Sequence, residues 1–345
     1  MRILIDIKHP AHVHFFKNFI KIMKNEGHNI LVTAREKEMT TYLLDKYNIK
    51  YIKISSIGKS KLDLLKELFV RNYRFYKIAR KFKPDVLLGL MGITIAPVGK
   101  LLGIPSLVFY DTENARLTNK IAYFFCTNFI TPNCYRKKLG KKNIRYKGYH
   151  ELTYLHPNYF KPDPNVLKKV GIKKGEKFTI IRFVSWGASH DVGHKGLLND
   201  LKIEAVRKFS KYGKVFITSE KPLPKEIEEF RLTLPAEEVH HLMYYATLLY
   251  GESATMASEA AVLGTYAIYI DDEGRGYTDE EERKYGLVFN YSESKEDQLK
   301  SIQKGLEILK NKNSKETAQK KRKKLLEDTI DVTNFIIKKV LKYEN

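Results

Sequence analysis

Residues 2–35 read RILIDIKHPAHVHFFKNFIKIMKNEGHNILVTAR. RILIDI is a short apolar run ending in a polar loop, the pattern of a buried parallel strand. HFFKNFIKIMKNEGH follows, with Phe15, Phe19, Ile22 and Met23 at helical spacing and Gly27 as a stop. NILVTAR is a second apolar run. Strand, helix and strand in such close succession form a βαβ unit, whose crossover is right-handed.

The pattern recurs. KPDVLLGLMG and IPSLVFYDT read as strands with a helical segment between them. YLHPNYFKPDPN (154–165), rich in Pro and Asn, reads as a linker. A second series follows it: the strand KFTIIRFVS, a helix near GLLNDLKIEAVRKFSKYG, the strands KVFITS and ATLLYGES, the helix ATMASEAAVLG and the strand TYAIYID. Two α/β halves in tandem are expected, and 345 residues suit two domains of about 150 each. The expected division is 1–155, 156–325 and a C-terminal helix over 326–345.

Lys and Arg number 62 against 40 Asp and Glu, a net charge of +22. Such an excess favours anionic partners, or reflects a Lys-rich proteome. No nucleic-acid module is recognisable and the basic residues are scattered, which argues against nucleic acid. Cys126 and Cys134 are too few for a disulfide framework, and their spacing is not that of a zinc pair. MRILIDI runs straight into charged residues, so no signal peptide is expected, and no apolar run is long enough to span a bilayer. A cytoplasmic location follows, with any membrane contact peripheral. One segment suits such contact: KSKLDLLKELFVRNYRFYKIARKFK (59–83) places Leu62, Leu65, Phe69, Tyr73 and Tyr76 along one helical face, with Lys66, Arg74, Lys77 and Lys81 elsewhere around it. A basic amphipathic helix with aromatics can lie on an anionic membrane; an ordinary core helix with solvated lysines reads the same way.

Open parallel sheets bind ligands beyond the carboxyl ends of their strands. His9, His12 and His14 lie just past the first strand, and Asp111, Thr112, Glu113 and Asn114 past a later one. Ser185 to His194 and Glu252 to Glu259 fall on the same edge of the second half. In GESATMASEAAVLGT, the small residues Ser253, Ala254 and Thr255, followed by Met256, open a helix whose N–H groups and dipole can face a phosphate. Glu259, a turn further on, can take both hydroxyls of a ribose, or can serve as a dipole partner in a closely packed helix.

GESATMASEAAVLGTYAIYI (251–270) resembles the donor-binding segment of GT-B glycosyltransferases, in particular the N-acetylglucosaminyltransferase that makes the lipid-linked peptidoglycan precursor. AHVHFFKNFIKIMKNEGHNILVTAR resembles that family's first loop, helix, GH pair and second strand, and DTENARLTNK its HEQN…LTN loop. The whole chain also resembles a GT-B-like family with the pattern HPAHVHFFKN. The resemblance implies a GT-B fold, two Rossmann-like domains facing each other across a cleft. It implies transfer of a sugar from a nucleotide-diphosphate donor, UDP-linked as in UDP-N-acetylglucosamine, to a lipid-linked or surface-glycan acceptor. No cofactor is implied, the nucleotide sugar being substrate.

Residue by residue, Glu259 matches the ribose-binding glutamate. His12 stands at the family's loop histidine and suits a general base, since an imidazole with a pKa of about 6.5 accepts protons at neutral pH. Glu113 is expected to orient His12 or hold the acceptor. His9, His14, Asp111, Thr112 and Asn114 complete the acceptor side. A metal site from the three histidines is not expected: Pro10 stiffens the loop and no Cys or carboxylate lies at ligand spacing.

On the donor side, FVSWGASHDVGHKG offers Ser185, Gly187 and Ser189 to approach a pyrophosphate and His190, His194 or Lys195 to neutralise it; the alternative is a surface loop anchored by Trp186. The family covers the base with the loop matching LPAEEVHHLMYYATLLYG, so Val239, His240 and Leu242 are expected to border a uracil. Lys221 is a further phosphate candidate. IDDEGRGYTDEEERKYG sits where the family contacts the donor sugar, with Arg275 and its acids as hydrogen-bonding groups or as a solvated loop.

The chain departs from the family in three places: KHPAH replaces the Gly-rich first loop, Asp111 or Thr112 replaces the first residue of HEQN, and SWGASHDVGHKG replaces the Gly-rich loop of the second half. Two rival activities stay open on this fold, a UDP-N-acetylglucosamine 2-epimerase-like isomerase and a non-catalytic nucleotide-sugar-binding scaffold.

Overall fold

The computed structural model describes residues 1–56, 61–173, 175–184, 196–219 and 222–344. Ser185, Gly187, Ser189, His190 and His194, with Trp186, Lys195 and Lys221, lie outside the described residues, as do the side chains of Leu62 and Leu65. The chain divides into two compact units, 1–154 with 330–345, and 155–329.

The first unit holds seven strands: β1 (Arg2–Ile7), β2 (Asn29–Glu36), β3 (Ile52–Ser56), β4 (Val86–Leu90), β5 (Ser106–Phe109), β6 (Asn128–Pro132) and β7 (Asn143–Tyr146). All pair in parallel, in the order β3-β2-β1-β4-β5-β6-β7. Parallel strands need crossovers, which here are α1 (Pro10–Asn25), α2 (Glu38–Lys46), α3 (Lys61–Phe82), α4 (Ile95–Leu102) and α5 (Arg116–Phe125). Helices on a sheet bury its strands, and Ile3, Leu4, Ile5 and Ile7 of β1 are fully buried. Helix α1 starts at Pro10, whose missing N–H costs nothing there. His9 caps it, its Nδ1 accepting the Ala11 N–H at 3.3 Å. Phe15, Phe16, Phe19 and Met23 turn into the core.

Helix α3 is anchored by a charge. Arg71 is buried beside Phe75 and Ala79, and its Nη2 lies 2.5 Å from Oδ1 of buried Asp6. Thr33 donates to the same oxygen at 3.0 Å, and Arg71 Nη1 donates to Ser55 at 3.2 Å. Phe69 and Tyr73, expected on one face with Tyr76, are exposed instead of packed inward.

The second unit holds β8 (Phe178–Phe183), β9 (Lys214–Ser219), β10 (Leu248–Gly251), β11 (Tyr266–Ile270) and β12 (Val288–Tyr291), parallel in the order β12-β11-β10-β8-β9. Two short helices, α6 (Leu152–Leu155) and α7 (Asn165–Lys169), precede them along the chain. The remaining helices are α8 (Asn199–Phe209), α9 (Val239–Tyr245), α10 (Ala254–Leu263), α11 (Gly276–Glu280), α12 (Lys295–Lys310), α13 (Ser314–Asp328) and α14 (Val332–Val340). The stretch expected as one helix over 326–345 is broken: α13 ends at Asp328, and α14, capped by Asp331, packs with α1 in the first unit.

Each sheet reverses its strand order once. In the first unit the switch falls between β1 and β4, in the second between β8 and β10. The crevice beyond the carboxyl ends at a switch point is where such sheets bind ligands. The residues after β1, β4 and β10 stand at these switch points.

Candidate functional site

The segments after β1, β4, β5 and β7 lie at the carboxyl edge of the first sheet. After β1, His12 is buried at the start of α1, and its Nδ1 accepts the Lys8 N–H at 3.4 Å. Burial pushes its pKa well below the usual histidine value, helped by the charges of His9, Lys8, Arg71 and His150. His12 is thus neutral at neutral pH, able to accept a proton and reluctant to keep it. The Lys8 amine is brought down to about 7, chiefly by burial against the partial compensation of Asp6. Its Nζ lies 3.7 Å from Asp6 Oδ2 and has no hydrogen-bond partner.

The three histidines do not converge. The His9 and His12 rings are 6.2 Å apart, while His14 packs against Tyr47 and Tyr154 at 5.9 and 5.3 Å. No group of three His, Cys, Asp or Glu able to hold a metal occurs among the described residues.

After β4, Met91 takes a φ of 65° and Gly92 one of 68°. A Cβ on Gly92 would meet Val108 at 2.5 Å, so only glycine fits this turn.

After β5, Glu113 is buried, and its Oε1 accepts the Arg136 N–H at 3.0 Å. Burial raises its pKa. Its bond thus goes to the backbone, whereas a different carboxylate on this edge holds an imidazole. Asp111 Oδ2 lies 2.9 Å from Nδ1 of His150. Thr112 donates to the other Asp111 oxygen at 3.0 Å. His150 is buried, with Phe15 edge-on at 4.8 Å, and its Nε2 is buried without a hydrogen-bond partner. The only mark His150 leaves in the sequence is a histidine soon after a strand, in KGYH.

In the second unit, β10 runs into α10 through Gly251 and Glu252. Ser253 caps the helix, its Oγ accepting the Met256 N–H at 3.3 Å. Ser253, Ala254, Thr255 and Met256 are half-buried, while Ala257 to Leu263 are buried. The helix therefore shows solvent its first turn, where the positive end of its dipole lies. The Glu252 carboxylate accepts the Val184 N–H at 3.0 Å and the Leu197 N–H at 2.6 Å, holding the residue after β8 to Leu197. Glu259 is buried and pairs with His240, Nε2 to Oε1, at 2.8 Å. Leu242 is fully buried in the core and Val239 half-buried.

The DDEGRG loop is built rather than merely solvated: Asp271 Oδ1 accepts the N–H groups of Glu273 and Gly274, both at 2.8 Å, and lies 3.7 Å from Arg275.

Behind α10, Ser258 donates to Glu281 at 2.6 Å. Glu281 opens a π-helical turn, is fully buried, and has one oxygen without a partner. Burial lifts its pKa from 4.5 to about 8, against the lowering effect of Ser258. The folded chain then keeps a proton that the unfolded chain releases near 4.5, so this group's stabilising effect is full below 4.5 and is lost as pH rises through about 8. Its share of the slope is at most about 1.4 kcal/mol per pH unit. Glu281→Gln should flatten it, measured as wild-type minus variant unfolding free energy between those limits; parallel curves would show that Glu281 ionises freely.

A family profile described as "Protein of unknown function (DUF354)" matches residues 1–344. The chain belongs to that family. An uncharacterized protein of Methanocaldococcus jannaschii is 26% identical to this DUF354 chain over 270 residues, 75% of this chain and 79% of that one. The UDP-N-acetylglucosamine–N-acetylmuramyl-(pentapeptide) pyrophosphoryl-undecaprenol N-acetylglucosamine transferase of Blochmanniella floridana is 27% identical over 140 residues, 37% of this chain and 39% of that one. Among solved structures, the UDP-GlcNAc 2-epimerase of Neisseria meningitidis bound to UDP-GlcNAc superposes with a TM-score of 0.74 at 14% identity, covering 99% of this chain and all of that one. The fold is that shared by GT-B glycosyltransferases and such epimerases.

Proposed function

We propose that this DUF354 protein is a glycosyltransferase that moves a sugar from a UDP-linked donor, such as UDP-N-acetylglucosamine, to a lipid-linked or surface-glycan acceptor. The observation that carries the reading is the open first turn of α10 beyond β10, with buried Glu259 a turn behind it. A diphosphate suits the helix end, and negative charge growing on the leaving UDP is met by its N–H groups and dipole. Glu259 takes the ribose, and His12 accepts the proton of the attacking hydroxyl. The sugar–phosphate bond breaks with its electron pair leaving on UDP.

The test is a thermal-shift screen of nucleotide sugars, followed by product analysis with and without acceptor. Stabilisation by UDP-sugars and an acceptor-dependent glycoside support the transferase. A free isomer formed without acceptor indicates the epimerase, and binding without turnover the scaffold.

Peripheral membrane contact belongs to the same reading, since a lipid-linked acceptor is presented at a bilayer. No helix among the described residues is long and apolar enough to cross a membrane. Helices α3, α4 and α5 cover one core. Their outer sides leave Phe69 69%, Leu101 73%, Leu117 73% and Phe124 72% exposed, far more than core helices need. Exposed Lys66, Lys77, Lys100 and Lys120 lie on the same helices. Lys77 Nζ sits 4.6 Å over the Tyr73 ring, a pairing suited to an interface. The chain should bind vesicles containing phosphatidylglycerol, less tightly as salt rises, because the charge term is screened within about 10 Å at 0.1 M. Leu117→Ser with Phe124→Ser should weaken binding. Equal binding to neutral and anionic vesicles, or none to either, rejects the contact.

A further inference from the structure

We propose that His240 is a positioning residue for the donor nucleotide: it fixes the Glu259 carboxylate for a two-pronged grip on a ribose diol, and so sets the preference for ribo- over deoxyribonucleotides. This rests on the reading of Glu259 as the ribose ligand.

Side chains on a helix lean toward its N-terminus. The Glu259 carboxylate therefore inclines toward the half-buried turn Ser253–Met256, where the diphosphate reading puts the nucleotide. Glu259 is only 6% exposed, and a carboxylate so buried needs a strong donor. The donor is His240, equally buried, at 2.8 Å.

Both ends of this contact are held from behind. On α10, Ser258 bonds Glu281 and Ser253 caps the first turn. On α9, Leu242 and Met243 are fully buried, and Thr265 Oγ1 donates to the carbonyls of Met243 at 2.7 Å and Ala246 at 3.2 Å. The adjacent His241 is used otherwise: its Nδ1 accepts the Asp163 N–H at 3.0 Å and its ring lies 4.8 Å from Phe160. The two neighbouring histidines are not interchangeable: His240 bonds Glu259 of α10, and His241 bonds Asp163.

A carboxylate already held in one rotamer loses little freedom when it engages two hydroxyls. A 2′-deoxyribose offers only one of them. Leucine at 240 leaves the buried carboxylate without this donor, whereas glutamine can supply an N–H.

Calorimetric titration of UDP and 2′-deoxyUDP tests the proposal. Wild type should prefer UDP by about tenfold, roughly the worth of one charge-assisted hydrogen bond. His240→Leu should weaken UDP about tenfold, weaken 2′-deoxyUDP less, and bring the ratio near one. His240→Gln should keep most of the ratio. In a Glu259→Gln background, His240→Leu should add little, because paired residues are non-additive. If His240→Leu does not fold, His240→Ala, which also removes the donor, and Glu259→Gln with their double variant complete the cycle. A ratio untouched by His240→Leu, or losses that simply add, overturns the positioning role while leaving the donor reading intact. A wild-type chain that binds neither nucleotide overturns the donor reading itself, and this role with it.

Discussion

Gly251→Ala should prevent the second unit from folding in its observed form. Gly251 ends β10 with a φ of +148°, and a Cβ there would sit 2.0 Å from the carbonyl oxygen of Arg182 and 2.9 Å from its carbon. Those are backbone atoms of β8, paired to β10 through Gly251 itself. They cannot move aside without breaking the parallel ladder at the centre of the sheet. A point substitution that costs more than about 4 kcal/mol is exceptional, and it usually traces to strain or overpacking of this kind. The same residue leads into Glu252 and α10, so the Glu252 bonds to Val184 and Leu197 and the open helix end would be lost together. Gly264→Ala is the control. Its φ is +72°, but the atoms within 2.6–2.9 Å of its added Cβ belong to the long side chains of Gln319 and Arg322. Denaturant unfolding should show a large loss for Gly251→Ala and a smaller one for Gly264→Ala. Wild-type stability in Gly251→Ala would mean that β8 and β10 yield more easily than their pairing indicates.

The second large effect is on turnover. A general base contributes about 10²–10⁴-fold, so His12→Ala should lower the rate by that order and leave UDP-sugar binding near normal. His12 sits at the switch point of the first sheet, buried and neutral, with its ring braced by the Lys8 N–H. His14→Ala should do less, because that ring packs between Tyr47 and Tyr154, and His9→Ala should mainly loosen the helix cap. The Asp111–His150 pair supplies a direct competitor. If His12→Ala keeps full turnover while Asp111→Asn and His150→Gln lose it, the proton goes to His150 and the His12 assignment is wrong. If Glu113→Ala alone removes turnover, the base is the carboxylate that the structure ties to Arg136.

What could be read from the chain is what is local. RILIDI, the helix to Gly27 and NILVTAR needed only periodicity, and the structure has β1, α1 and β2 there with the Gly27 stop, although α1 starts at Pro10, in the stretch read as a loop. GESATMAS announced a strand end and a helix opened by small residues; that Ser253 caps it, bonding the Met256 N–H, is local too but was found in the structure. Those signals sufficed for two α/β series in tandem; the GT-B fold was legible only through the resemblance of residues 251–270 and 11–35 to GT-B glycosyltransferases.

The rest depends on which residues meet after the chain has closed on itself. Arg71 looked like one more cation of a basic helix, yet it reaches back 65 residues to Asp6 and turns α3 so that Phe69 and Tyr73 face outward. Glu252 looked like the last residue of a strand motif, but it holds two backbone N–H groups 68 and 55 residues away. His150 carried no motif, and becomes a candidate only because β5 and β7 share a sheet edge that brings Asp111 beside it. Glu113 lay in the more suggestive segment, and the Arg136 backbone took it. Periodicity and capping are properties of neighbouring residues. The partner of a buried charge is not: desolvation requires that there be one, and only the packing of distant elements decides which group it is.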